Sequence, residues 1–266
     1  MPARARKTLI WMLLIFAPLY AAADKLQDSL DGLSSEDTKV SRDAETYLAK
    51  HSQQAVRPLQ KILSDGSKSA LARFRAAKLL GDLGDKAVVA DMQQVLSSGS
   101  ESNAAVRVEI IRSLVRLGSS STLIDYLNNK GKDEAPSVKA AIAIGLQDNK
   151  DEESKKALSG LLADKDRRVF QAAFTAVCKI YQPATSADKN CPSSPATPPA
   201  QTGGTPQKTP RLIQPEIVEP SDRVSPTPGD QAIFRALQST QSNGDAEISP
   251  AAGQLLTALS EHYKQQ

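Results

Sequence analysis

Histidine and cysteine occur only twice each in this sequence of 266 residues, tryptophan once, and aromatic residues make up 4% of it. These shortages close several chemical routes. His51 and His262 lie outside any metal-ligand spacing, whereas a metal centre built on helical repeats would need several His-Glu pairs. No G-x-S-x-G turn, phosphate-cradling glycine-rich loop or Cys-His pairing is present. Asp148, Asp151, Glu152 and Glu153 form an acidic cluster, but Lys150, Lys155 and Lys156 interleave with it, so it reads as a solvated turn and helix start. The expectation is a chain without catalytic residues, cofactor or metal.

Charge of one sign is also missing. The formal charge is +3, and Arg4, Arg6 and Lys7 account for it; 33 basic residues less these three balance 30 acidic ones. These three open a leader, followed by the apolar run from Leu9 to Tyr20 and by Ala21-Ala22-Ala23 before Asp24. That order is the form of a secretory signal peptide, with cleavage expected near Ala23. The run falls short of the roughly 20 apolar residues needed to span a bilayer, so no stable span is expected after cleavage. A periplasmic or secreted location follows, and export permits a disulfide. Cys178 and Cys191 are the one intramolecular pair available, and the alternative is that Cys178 is a small buried apolar residue.

What the sequence does have is a repeat. Ala72 to Gly84 (ARFRAAKLLGDLG) lies over Val106 to Gly118 (VRVEIIRSLVRLG) at a spacing of 34, matching Arg73 with Arg107, Leu80 with Leu114, Leu83 with Leu117 and Gly84 with Gly118. Further copies are anchored at Ser41, at Lys139, and at Val169-Phe170. Each is followed by a second apolar stretch, such as Leu59, Ile62 and Leu63, or Met92, Val95 and Leu96, and the pairs are separated by breakers such as Asp65-Gly66 and Ser97-Ser98-Gly99. Apolar positions recur at three and four, as one buried stripe per helix requires. A lone hairpin of this size cannot bury both faces, so the pairs are expected to stack into an all-α, right-handed superhelical solenoid of about five hairpins over residues 24–182. Lys25 to Leu33 is expected to cap it, and Ser34-Ser35-Glu36-Asp37 to start the next helix with a hydroxyl cap.

The phrase V-R-x-x-A-A-x-x-L-x-x-L-G resembles the short HEAT repeats of phycobilin lyases, over roughly Thr38 to Tyr181. The resemblance implies that Arg73, Arg107 and Lys139 are structural, bridging adjacent units through loop acids and carbonyls, for which Asp65, Asp133 and Asp164 stand shortly before the anchors. Pigment chemistry does not carry over, because no cluster of cysteine, histidine or aromatic residues is present to hold a tetrapyrrole.

Residues 183–229 hold most of the prolines and read as a disordered linker, with one more apolar run, Leu212 to Val218, as a candidate docking motif. Helical pattern returns over 230–266 in Ile233, Phe234 and Leu237, then in Leu255, Leu256, Leu259 and Tyr263. These short amphipathic helices could fold back, dimerise or bind a partner. The expected function is that of a scaffold or adaptor holding a protein or peptide along a groove lined by the second helices, near Arg57, Gln60, Lys61, Asp91, Gln93, Gln94 and Tyr126. Arg112 and Arg116, which the repeat does not require, are further binding candidates. Two alternatives are an accessory subunit or chaperone of an envelope enzyme, and a lyase-like enzyme handling a small molecule. Nucleic acid is not an expected partner, although the basic face of Arg73, Arg75, Lys78, Arg107, Arg112 and Arg116 invites a test of salt dependence.

Overall fold

The computed structural model describes residues 24–131, 134–181, 226–242 and 248–265, and every regular element among them is helical. The leader, Cys191 and the run Leu212 to Val218 lie outside the described residues. The chain divides into two compact units that part between Ala141 and Ile142.

The first unit contains α1 (24–32), α2 (Thr38–Lys50), α3 (Ser52–Ser64), α4 (Ala70–Leu83), a 3-10 turn at Lys86–Val88, α5 (Val89–Ser98), α6 (Ala104–Arg116) and α7 (Ser120–Lys130). The helix α8 (Pro136–Gly145) spans the division. Short polar side chains set where the first helices begin. Asp37 accepts from the Lys39 and Val40 amides at 2.7 and 3.3 Å, Ser69 from Ala72 at 3.1 Å, and Asn103 from Ala105 and Val106 at 2.9 and 3.3 Å. The α2 cap is therefore a carboxylate, where a serine hydroxyl was expected. The repeated glycine ends the phrase because Gly84 and Gly118 adopt φ of +74° and +73°, a left-handed stop that costs other residues roughly 1–2 kcal/mol.

The copies anchored at Arg73 and Arg107 pack through their first helices. The helix α4 runs along α6 and also against α3, while α3 and α5 meet only sparingly. Ala76, Ala77 and Leu80 of α4 and Val106, Ile110, Ile111 and Leu114 of α6 are at most 1% exposed. Burial of each large aliphatic side chain contributes about 1.5–3 kcal/mol. Small residues allow the close approach: a Cβ placed on Gly81 would stand 2.6 Å from Ser113 Cβ, and Ser113 Oγ donates to the Ala77 carbonyl at 2.9 Å. The helices α3 and α5 stand apart, and a channel opens between them.

The second unit holds α9 (Glu152–Leu162), α10 (Arg167–Tyr181), α11 (Pro228–Ser242) and α12 (Ser249–Gln265). Phe170, Phe174 and Val177 of α10 are buried, as the fifth copy of the repeat requires. The helix α11 packs along α9, and α12 packs on α11 and touches α10. Ile233, Leu237, Ala252, Leu255 and Leu259 line these contacts, each at most 2% exposed. In chain order α11 follows α10 after residues 182–227 and packs on α9. Within the chain the C-terminal helices fold back onto α9 and α10.

Candidate functional site

The anchor arginines join successive copies within the first unit. Arg73, 9% exposed, donates from Nε and Nη2 to the Glu101 carboxylate at 2.7 and 3.0 Å, and reaches the Gly66 carbonyl at 3.4 Å and the Lys68 carbonyl. Arg107 repeats the pattern one copy on, with Glu134 at 2.8 Å and the Glu101 carbonyl at 2.8 Å. Glu101 is the node, since its carboxylate also accepts from the Asn103 amide at 2.7 Å, at the cap of α6. Lys139 holds the equivalent position on α8, half-buried. At Arg73 the bonded acid is Glu101 and not the expected Asp65, which acts on the guanidinium only through its charge. Asp65 accepts from the Ser67 hydroxyl and amide, bonds that hold its carboxyl below the usual range, and Asp164 accepts from the Asp166 amide at 2.9 Å. Asp133 lies outside the described residues. The bracing acid belongs to the loop leading into the next copy, where it meets the guanidinium of the preceding one.

Tyr126 is a correction to the expected binding face. It is 7% exposed, its hydroxyl donates to Glu134, and burial together with that carboxylate pushes the phenol far above its ordinary pKa. Lying three residues after the buried Leu123, it shares the inward stripe of α7. The proposed basic face is largely neutralised as well. Arg75 donates to the Leu33 and Ser35 carbonyls at 2.7 Å each, Lys78 pairs with Glu45 at 2.8 Å, and Arg116 pairs with Glu109 at 2.9 Å and Asp82 at 3.2 Å. Arg112 is freer, with a side chain 61% exposed and 3.6 Å from Glu109.

The separated second helices give the site its shape. Between α3 and α5 opens a groove of about 650 Å³, lined by Arg57, Gln60, Lys61 and Ser64 from α3, by Asp91, Gln94, Val95 and Ser98 from α5, and by Ser100 beyond it. Five residues expected on this face from helix phase, Arg57, Gln60, Lys61, Asp91 and Gln94, are brought together here, while Gln93 is exposed outside the lining. Gln60 donates across the groove to Asp91. Neither Arg57 nor Lys61 has an ion pair among the described residues. Ser64, Ser98 and Ser100 escaped sequence reasoning, because serines at helix ends read as stop signals before they read as lining.

A second polar constellation holds the C-terminal helices in their unit. Lys155, 8% exposed, pairs with Asp230, 2% exposed, at 2.8 Å, and with Glu152 at 3.2 Å. Asp230 also accepts from the Tyr181 hydroxyl and from the Thr227 amide at 2.9 Å, and the Gly229 amide donates to Glu152 at 2.6 Å. Burial pushes the Asp230 carboxyl up, but the bonds from Lys155, Thr227 and Tyr181 outweigh it and hold the group far below its usual range. Lys155 and Glu152 were expected in a solvated turn; the return of α11 encloses the lysine. Cys178, 5% exposed on α10, is in disulfide linkage.

Among the described residues no three His, Cys, Asp or Glu side chains gather as a metal site, and no helix is long and apolar enough to cross a membrane. His51 stacks on Tyr47 at 4.1 Å, and His262 meets the edge of Tyr181 at 5.8 Å. No protein-family model matches the chain, and no curated protein matches it. Among solved structures, a designed armadillo repeat protein is similar to it, with 15% identity and a TM-score of 0.39, over 88% of this chain and 99% of that one.

Proposed function

We propose that this chain is an exported, non-enzymatic scaffold or adaptor that holds a protein or peptide partner in the groove between α3 and α5. The observation that carries the reading is the groove itself, where long polar side chains from two successive copies converge above the buried Val95. Stacked helical repeats present such preformed surfaces without having to reorganise on binding. The leader supports export, and the reading requires no cofactor or metal.

A photocrosslinking residue at Gln94, in the groove, compared with one at the exposed Asp43 on α2, tests it. In cells, a discrete adduct is expected from position 94 and not from position 43, and Arg57→Glu with Lys61→Glu should remove it. Equal labelling from both positions, or an adduct indifferent to the two charge reversals, contradicts the assignment.

A further inference from the structure

Resting on that groove reading, we infer that the partner is an extended acidic peptide with carboxylates two residues apart, Glu-x-Glu or its aspartate equivalents. Two observations lead there. The groove carries two cations against one acid, Arg57 and Lys61 against Asp91, and Asp91 is already engaged by Gln60. Neither groove cation has an ion pair among the described residues, so both are available to a carboxylate, whereas Arg73 and Arg107 of the same unit are engaged by Glu101 and Glu134.

Spacing supplies the second step. Arg57 and Lys61 are four residues apart on α3. At about 1.5 Å rise per residue their Cα atoms are offset by about 6 Å along the helix. In an extended chain, side chains two residues apart share a face and stand about 6.6 Å apart. A peptide laid along α3 therefore presents one carboxylate to each cation, and Gln94 with the groove serines can bond its backbone. Arg57 offers the forked geometry suited to a carboxylate, while Lys61 acts as a point charge.

Fluorescence anisotropy of the full chain with a labelled Gly/Ser peptide containing one Glu-x-Glu, and with its Gln-x-Gln counterpart, tests the inference. The acidic peptide should bind, and raising salt from 50 to 300 mM should weaken it. The Gln-x-Gln peptide should bind several-fold more weakly, and Arg57→Gln or Lys61→Gln should each lose about two- to fivefold, as for exposed ion pairs. Absence of Glu-x-Glu binding, equal affinity for both peptides, or insensitivity to the double R57Q/K61Q variant overturns the inference. So does a single-stranded oligonucleotide that binds the same two cations more tightly than the peptide. The Gln94 crosslink separates the failures. If the groove adduct persists while Glu-x-Glu shows no advantage, the groove stands and its acidic preference falls; if the adduct is also missing, both fall.

Discussion

Arg73→Met removes a buried cation while keeping much of the side-chain volume, and its consequence follows from the partners. The Arg73 and Glu101 side chains are 10% and 2% exposed and joined by two bonds of 2.7 and 3.0 Å. In the variant, Glu101 keeps the Asn103 amide but loses its cation, and the Lys68 carbonyl loses its donor. Breaking a buried pair from one side costs about 3–5 kcal/mol, a large part of the roughly 5–15 kcal/mol that holds a typical domain folded. Lys78→Met serves as the contrast. Lys78 also bonds its acid at 2.8 Å, but 43% of its side chain is exposed, and such a pair contributes about 0–1 kcal/mol. Hydrogen exchange of α4 and α6 in the full chain measures the effect locally. Exchange from these helices should accelerate by two orders of magnitude or more in R73M and hardly change in the Lys78 variant. Adding Glu101→Gln should restore part of the protection by removing the stranded charge. An R73M chain within about 1 kcal/mol of the parent, or a double variant weaker than R73M, refutes the brace.

Gly81→Ala should destabilise although alanine is the better helix former, because the new methyl meets Ser113 Cβ at 2.6 Å and Oγ at 2.5 Å; the expected net loss is about 1–3 kcal/mol by thermal melting. The Lys155–Asp230 pair predicts a flat pH response. Asp230 is lowered on folding, so its contribution is complete above the unfolded value of about 3.9 and fades as pH falls towards the folded one. Burial pushes Lys155 down, but bonds to Asp230 and Glu152 raise it overall, so its contribution is complete below about 10.4 and fades as pH rises from there through its folded value. Protection of α11 should accordingly hold from about pH 5 to 9 and weaken beyond both ends, and Lys155→Met should lower it throughout. For the cysteines, denaturation without reductant should release no titratable thiol, and one intrachain bridge should leave the mass monomeric; mature protein should begin at Asp24 if the leader is cleaved.

The sequence spacing located the first helices well, because Arg73 with Arg107 and Gly84 with Gly118 are fixed by the same contacts in successive copies. The partners were harder to see. Glu101 and Glu134 stand six and five residues before the next anchors, a regularity that points forward in the array, whereas reasoning within each copy selects the acids behind. Tyr126 was legible in principle, since a spacing of three from the buried Leu123 places it inward on α7. The packing of α11 on α9 could not be read from periodicity. Residues 182–227 precede α11, and a repeat search loses phase over a stretch longer than the repeat itself. The groove required both its lining residues, which helix phase supplied, and the separation of α3 from α5, which only the packing reveals.

Hydrogen exchange of the full chain with and without the partner captured from position 94 tests the central claim most directly. Bound partner should slow exchange in α3 and α5 while leaving α2 and the C-terminal pair α11 and α12 unchanged. Protection confined to α11 and α12, with none in α3 or α5, would contradict the groove as the binding face.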